Sequence, residues 1–112
     1  KILSIDLLDM EQINNVKIIK GDFTKDVYKQ KITSFFNNKV DVVISDMAVN
    51  TTGNKNLDAI VTGELALDAM KFAISFLKDN GQFVSKIFMG STFNEIVMYS
   101  KKNLLKLTKL IE

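Results

Sequence analysis

The chain contains no cysteine and no histidine. Without cysteine it can form neither a disulfide nor a thiolate metal site. Without histidine, imidazole zinc centres, Ser-His triads and imidazole general bases are excluded as well. Acid–base chemistry must then use Asp, Glu, Lys or Tyr, and no metal is expected. Proline is missing from all 112 residues, although ordinary usage of ~5% would supply several. No apolar run approaches the ~20 residues that a membrane-spanning helix needs. Residues 1–6 read as a strand and not as a signal peptide. The expected compartment is the cytoplasm, with no membrane partner. An excess of one charge is lacking too. Fifteen basic and thirteen acidic residues leave a net +2, too little to predict nucleic-acid binding by itself. The chain starts with Lys and not Met, which suggests a piece of a longer protein.

The hydrophobic share of 46% suits one globular domain over residues 1–112. Lys1-Ile-Leu-Ser-Ile-Asp6 reads as a short buried strand ending in an acid, and Val16-Lys-Ile-Ile-Lys20 as a second strand stopped by Gly21-Asp22. Thr24 is the expected N-cap of a helix with Asp26 in its first turn. Tyr28, Ile32, Phe35 and Phe36 form that helix's apolar stripe, and Asn37-Asn38 breaks it. Val40-Asp-Val-Val-Ile-Ser-Asp46 has the continuous apolar core of a parallel strand covered on both faces. A loop over residues 47–56 leads to a helix over 57–77, with Leu65, Ala69, Phe72 and Phe76 on one stripe and Asp79-Asn80-Gly81 as its stop. Gln82-Phe-Val-Ser-Lys-Ile-Phe88 is the fourth expected strand. Met89-Gly90-Ser91 is a loop, and Thr92 with Glu95 suggests a capping box for a last helix. Residues 103–112 fit neither period. Strands alternating with helical patterns define an α/β class with a mainly parallel sheet.

In such a sheet, ligands bind beyond the carboxyl ends of the strands. Three of the four expected strands end in Asp: Asp6, Asp22 and Asp46. Any one of them is most simply a turn residue; all three together favour a site. A carboxylate accepts hydrogen bonds only, which matches both hydroxyls of a ribose at Asp6. Lys86 stands within Phe83-Val-Ser-Lys-Ile-Phe88, where a covered strand should be apolar. Lysine is rarely buried without a partner. An edge strand or a snorkelling side chain is the bland alternative, and pairing with Asp46 the functional one. Met47 and Met89 flank this region and are more simply core. Lys101, Lys102, Lys106 and Lys109 are most simply a solvated basic face. Neither a Walker pattern nor G-x-G-x-x-G occurs, so Gly53 and Gly63 form no phosphate loop.

Asp6-Leu7-Leu8, Gly21-Asp22-Phe23, Ser45-Asp46-Met47-Ala48 with Asn50 and Gly53, and Ser85-Lys86-Ile87-Phe88 with Gly90 run in this order over nearly all of the chain. In this they resemble the FtsJ/RrmJ family of ribosomal RNA 2′-O-methyltransferases. The resemblance implies a Rossmann-like fold dependent on S-adenosylmethionine, with its first strand missing from this chain. It implies methylation of a uridine 2′-hydroxyl in large-subunit ribosomal RNA, by a protein that is monomeric when complete. Asp6 would hold the cofactor ribose. Asp22 would contact the adenine amino group, with Phe23 beside the ring. Asp46 would line the methionine end and belong to a Lys-Asp-Lys-Glu catalytic set, and Lys86 would be the second lysine of that set.

The family's Gly-rich loop and first catalytic lysine have no counterpart in these residues, and its final Glu is not identifiable before Glu112. Val49 stands where the family usually has Pro. The first strand of the fold lies between the strands ending at Asp6 and Asp46. Its absence should leave two unpaired inner edges. The competing expectations are a methyltransferase acting on tRNA or mRNA caps, a non-catalytic remnant that binds RNA or partners, and, from Asp6 alone, a nicotinamide-dependent oxidoreductase.

Overall fold

The computed structural model describes residues 1–47, 52–87 and 91–103. Its element order is β1 (Ile2–Asp6), β2 (Val16–Lys20), α1 (Asp26–Phe36), β3 (Val40–Ser45), α2 (Lys55–Phe76), β4 (Leu77–Ser85) and α3 (Ser91–Asn103). The strands pair as two separate two-stranded sheets, β1 with β2 and β3 with β4. The chain divides correspondingly into two units, residues 1–40 and 41–112.

In the first unit β1 and β2 run parallel, in register from Ile2 opposite Val16 to Asp6 opposite Lys20. The Gly21 N–H extends the pairing by donating to the Asp6 carbonyl at 2.8 Å. A Cβ on Gly21 would collide with the Tyr28 ring, so a side chain there would force the ring or α1 to move. Helix α1 begins one residue after Lys25, which supplies no side-chain cap. Thr24 is therefore not the N-cap: its hydroxyl is committed to Asp22 instead, at 2.6 Å. Ile32 is the buried residue of the expected stripe, with Tyr28, Phe35 and Phe36 half-buried. Asn37 ends the helix at φ 64°, a left-handed geometry that Asn tolerates better than most residues.

The second unit is built on α2. Its first turn is capped by the Asn54 side chain, which accepts from the N–H groups of Asn56 and Leu57. The buried face runs through Ala59, Thr62, Gly63, Ala66, Met70 and Ala73. Of the expected stripe, Ala69 and Phe76 are buried, whereas Leu65 and Phe72 are only half-buried. Small residues win the contact face because they let α3 approach closely. Ala66, Leu67, Met70 and Ile96 form the core there, with Ile74, Phe83, Ile87 and Tyr99 packed on it.

The stop expected at Asp79-Asn80-Gly81 is not used. Leu77 leaves the helix in extended geometry (φ −79°, ψ 145°), and those residues lie within β4. Lys78 is held there by Asp41 of β3, Nζ to Oδ1 at 3.0 Å. Strand β3 is not covered on both faces: Ile44 is 74% and Val42 49% exposed. Helix α3 starts at Ser91, one residue ahead of the cap expected at Thr92. Ala48, Val49, Asn50, Phe88, Met89, Gly90 and the tail after Asn103 lie outside the described residues. Among the described residues no helix is long and apolar enough to cross a membrane.

Candidate functional site

The parallel pairing of β1 and β2 brings two of the three strand-end acids together. Asp6 and Asp22 follow the carboxyl ends of adjacent strands, and the Gly21 N–H bonded to the Asp6 carbonyl joins them through the backbone. Each acid spends one oxygen on its own turn. Asp6 Oδ1 accepts the Leu8 N–H at 2.9 Å. Asp22 Oδ1 accepts the Thr24 N–H at 2.9 Å and the Thr24 hydroxyl at 2.6 Å. These are Asx turns, in which the carboxylate orders the chain that follows it. Each keeps its Oδ2 without a hydrogen bond among the described residues.

The Asp22 carboxyl is held below the ordinary carboxylate range. The Thr24 hydroxyl is the largest cause and its N–H adds to it; desolvation opposes, and Lys25 and Lys29 assist. Phe23 is half-buried, with Lys29 Nζ 5.1 Å from its ring centre. In this unit a groove of about 630 Å³ runs between β2 and α1, lined by Lys17, Ile19, Val27, Lys31 and Phe35. None of the expected site residues borders it.

In the second unit the backbone sets Lys86 against the end of β3, where its N–H donates to the Ser45 carbonyl at 3.0 Å. Asp46 is the next residue after that carbonyl. Burial alternates along both segments. Phe83, Ser85 and Ile87 turn toward the core side while Val84 and Lys86 are exposed; Ser45 is buried while Ile44 and Asp46 are exposed. Lys86 is therefore not a lysine buried within a covered strand. It lies one residue beyond β4 on the open side, and Asp46 shares that side. The apolar neighbours that made it look buried, Phe83 and Ile87, belong to the opposite face. The Ser45 hydroxyl, adjacent to Asp46, is buried without a hydrogen-bond partner among the described residues. Among those residues no cluster of three or more Asp or Glu side chains could hold a metal ion.

One feature of this unit escaped the sequence reading. Asp58, in the first turn of α2, is 7% exposed. Its Oδ1 accepts from the Thr52 N–H at 3.0 Å and from the Thr52 hydroxyl at 2.9 Å. The available signal was the pair of polar residues Asn54 and Asp58 at the edge of a helical pattern that begins with Leu57.

Strands alternating with helices, with β1 and β2 parallel, define an α/β protein. The model of the FtsJ-like methyltransferase family matches residues 1–112, and the chain belongs to that family. It is 59% identical over 102 residues to the ribosomal RNA large subunit methyltransferase E of Pelagibacter ubique (strain HTCC1062), covering 91% of this chain and 50% of that protein. It is 43% identical over 97 residues to the protein of the same name from Rickettsia akari (strain Hartford), covering 87% of this chain and 43% of that one. A crystal structure of a ribosomal RNA methyltransferase from Plasmodium falciparum superposes with a TM-score of 0.82 at 31% identity, over 97% of this chain and 65% of that one. The chain spans about half the length of the curated relatives it matches. The resemblance read from the Asp and Lys motifs is thus borne out at the level of family and fold.

Proposed function

We propose that residues 1–112 form part of a single methyltransferase domain that transfers a methyl group from S-adenosylmethionine to a ribose 2′-hydroxyl, that of a uridine in large-subunit ribosomal RNA. A monomeric protein working in the cytoplasm belongs to the same proposal. The observation that carries it is the Lys86 N–H bonded to the Ser45 carbonyl, which sets a lysine beside the strand-end acid Asp46 on the exposed side of the β3–β4 pair. The names of the relatives supply the ribosomal RNA part of the reading.

The acids of the first unit suit this cofactor. Asp6 retains Oδ2 as an acceptor for the ribose hydroxyls, and Asp22 retains Oδ2 for the adenine amino group. A carboxylate held ionised, as Asp22 is by Thr24, is the right partner for a donor. Phe23, next to Asp22, offers an aromatic edge or face to the purine. Asp46 holds the methionine end with its negative charge. When bound, S-adenosylmethionine supplies an electrophilic methyl group on a sulfonium sulfur.

The chain's own groups then have three tasks. Asp6 and Asp22 fix the nucleoside end. Asp46 orients the charged end. Lys86 Nζ orients the 2′-hydroxyl toward the methyl donor and, when neutral, accepts its proton. Positioning accounts for most of the rate gain in this scheme, since holding two reactants in line removes a large entropic barrier.

The test is methylation by the full-length protein, with methyl-tritiated S-adenosylmethionine and large ribosomal subunits that lack the modification. Label recovered in 2′-O-methyluridine after nuclease digestion is the expected result. Label in a base, or only in tRNA or capped RNA, overturns the substrate assignment. A protein to which S-adenosylmethionine does not bind in a calorimetric titration is a remnant and not an enzyme.

A further inference from the structure

Asp58 poses a question that helix capping does not answer. Asn54 already caps α2, accepting the N–H groups of Asn56 and Leu57 at 3.1 and 3.2 Å. Asp58 gives its carboxylate to none of the helix N–H groups among these bonds; it reaches back six residues to Thr52. Oδ1 and Oδ2 share the Thr52 N–H at 3.0 and 3.2 Å, and Oδ1 also takes the Thr52 hydroxyl proton at 2.9 Å. The Thr52 hydroxyl oxygen in turn accepts the Asn54 N–H at 3.2 Å. The Asp58 N–H closes the circuit by donating to the Asn54 carbonyl at 3.0 Å. Gly53, between the two anchors, has φ +87°, which an L side chain rarely adopts. Sequestering a carboxylate is costly unless charge-assisted hydrogen bonds compensate it. Among the described residues that compensation comes from the loop residue Thr52.

Thr52 is one end of a short stretch. The other end is Ser45, whose carbonyl is held by the Lys86 N–H at 3.0 Å. Asp46 lies directly after the first anchor, and residues 47–51 are all that separate it from the second. We infer that Asp58 is a positioning residue for the active site: by fixing Thr52 to α2 it anchors the chain six residues beyond Asp46. The inference rests on the proposed role of Asp46 in holding cofactor. Asp58 itself touches no substrate in this scheme. It acts through Thr52 on where Asp46 can stand.

The experiment uses the full-length protein with Asp58→Asn, Asp58→Ala, Thr52→Val and Thr52→Ser. Amide hydrogen exchange is read without cofactor on peptides spanning residues 47–57 and, as an internal reference, 66–76. Affinity for S-adenosylmethionine and kcat/KM on ribosomal subunits are read in parallel, at a temperature where each variant is folded. Exchange in 47–57 should quicken about tenfold or more in Asp58→Ala and in Thr52→Val, with 66–76 unchanged. Cofactor affinity should fall by a similar factor. Thr52→Ser, which keeps both donors, should restore exchange and affinity to near the wild-type values. A purely structural role would quicken exchange in both peptides together and would lower activity only as far as stability falls. That pattern overturns the inference, as does unchanged exchange in 47–57. If Asp58→Ala does not fold, Thr52→Val and Thr52→Ser decide it alone. Failure of the wild-type protein to bind S-adenosylmethionine overturns the functional reading, whatever the exchange data say. A wild type that methylates normally beside variants with unaltered exchange and affinity overturns the Asp58 role alone.

Discussion

The backbone N–H of Lys86 donates to the carbonyl of Ser45 at 3.0 Å, so the ends of β4 and β3 are level where Lys86 and Asp46 begin. A slip of one residue would exchange the faces of every side chain beyond that bond. With β4 slipped against β3, Lys86 would turn toward Ile96 and Met70, and Ile87 would turn outward. The inward packing of Ile87 against the α2–α3 core is what keeps the lysine on the open side.

Replacement of Lys86 should separate binding from chemistry. In the full-length protein Lys86→Ala is expected to lower the methylation rate by ~10²-fold or more, the usual scale for loss of a positioned proton acceptor. Cofactor affinity should stay within about threefold of the wild type. Lys86→Arg sharpens the test. A guanidinium keeps the charge but does not give up its proton in a protein. If Lys86 accepts the proton, the arginine variant is as inactive as the alanine one. Appreciable turnover with Arg would mean that the charge alone is what the reaction needs.

Asp46 should behave differently, because it is assigned both to the cofactor and to the reacting end of the site. Asp46→Asn preserves size while removing the charge. Its cofactor affinity and its rate at saturating cofactor should both fall, each by ~10-fold or more, since losing one charged hydrogen-bond partner costs about 1.5–3 kcal/mol. Calorimetry for the affinity and single-turnover kinetics for the rate separate the two effects. Unaltered affinity would remove Asp46 from the cofactor site.

Thr24 should control the ionisation of Asp22. Its hydroxyl is the main cause of the lowered Asp22 pKa. Thr24→Val deletes that bond and should raise the Asp22 pKa toward the ordinary carboxylate value, while the Thr24 N–H bond persists. The sign of the pH effect follows. A depressed folded-state pKa contributes stability above the unfolded-state value, near pH ~3.9, and that contribution is lost as pH falls through the lower folded-state value. Thr24→Val should therefore matter at neutral pH and become indistinguishable from wild type at the acid end. A carboxyl-carbon NMR titration of Asp22 reads the shift directly. An unmoved titration midpoint would show that the hydroxyl bond is not what holds the carboxylate ionised.

How far the sequence carried the description can be judged from particular residues. Strand β2 and the stop at Gly21-Asp22 were legible because a β-branched run met a turn signal, and α1 followed from its Ile32 stripe and its Asn37 end. The family itself was legible from short polar motifs at strand ends, where side-chain chemistry and not packing decides the residue. The start of β4 was not. Asp79-Asn80-Gly81 has good turn chemistry, but Leu77 is already extended and Lys78 bonds to Asp41, a contact between residues 37 apart that no local pattern contains. The exposure of Lys86 was missed for a related reason. An apolar neighbourhood in sequence does not say which face is covered, and alternation put Lys86 with Val84, not with Phe83 and Ile87. Asp58 was invisible because its partner, Thr52, reads as an ordinary loop residue.

The Gly21–Tyr28 approach gives a test of local packing beside Asp6 and Asp22. A Cβ at Gly21 would overlap the Tyr28 ring, so Gly21→Ala forces the ring or α1 to move. Overpacking of this kind costs about 1–3 kcal/mol. Gly21 also holds the Asp6 carbonyl through its N–H, so displacement there should loosen both Asp6 and Asp22. Chemical denaturation of the full-length protein should show the loss, accompanied by weaker cofactor binding. Combining Gly21→Ala with Tyr28→Ala should cost less than the two single changes added, because the collision exists only when both side chains are present. Coupling between such neighbours is expected at about 0.5–3 kcal/mol. Strict additivity in that cycle would place the Tyr28 ring away from Gly21 in solution and break the link from α1 to the two acids.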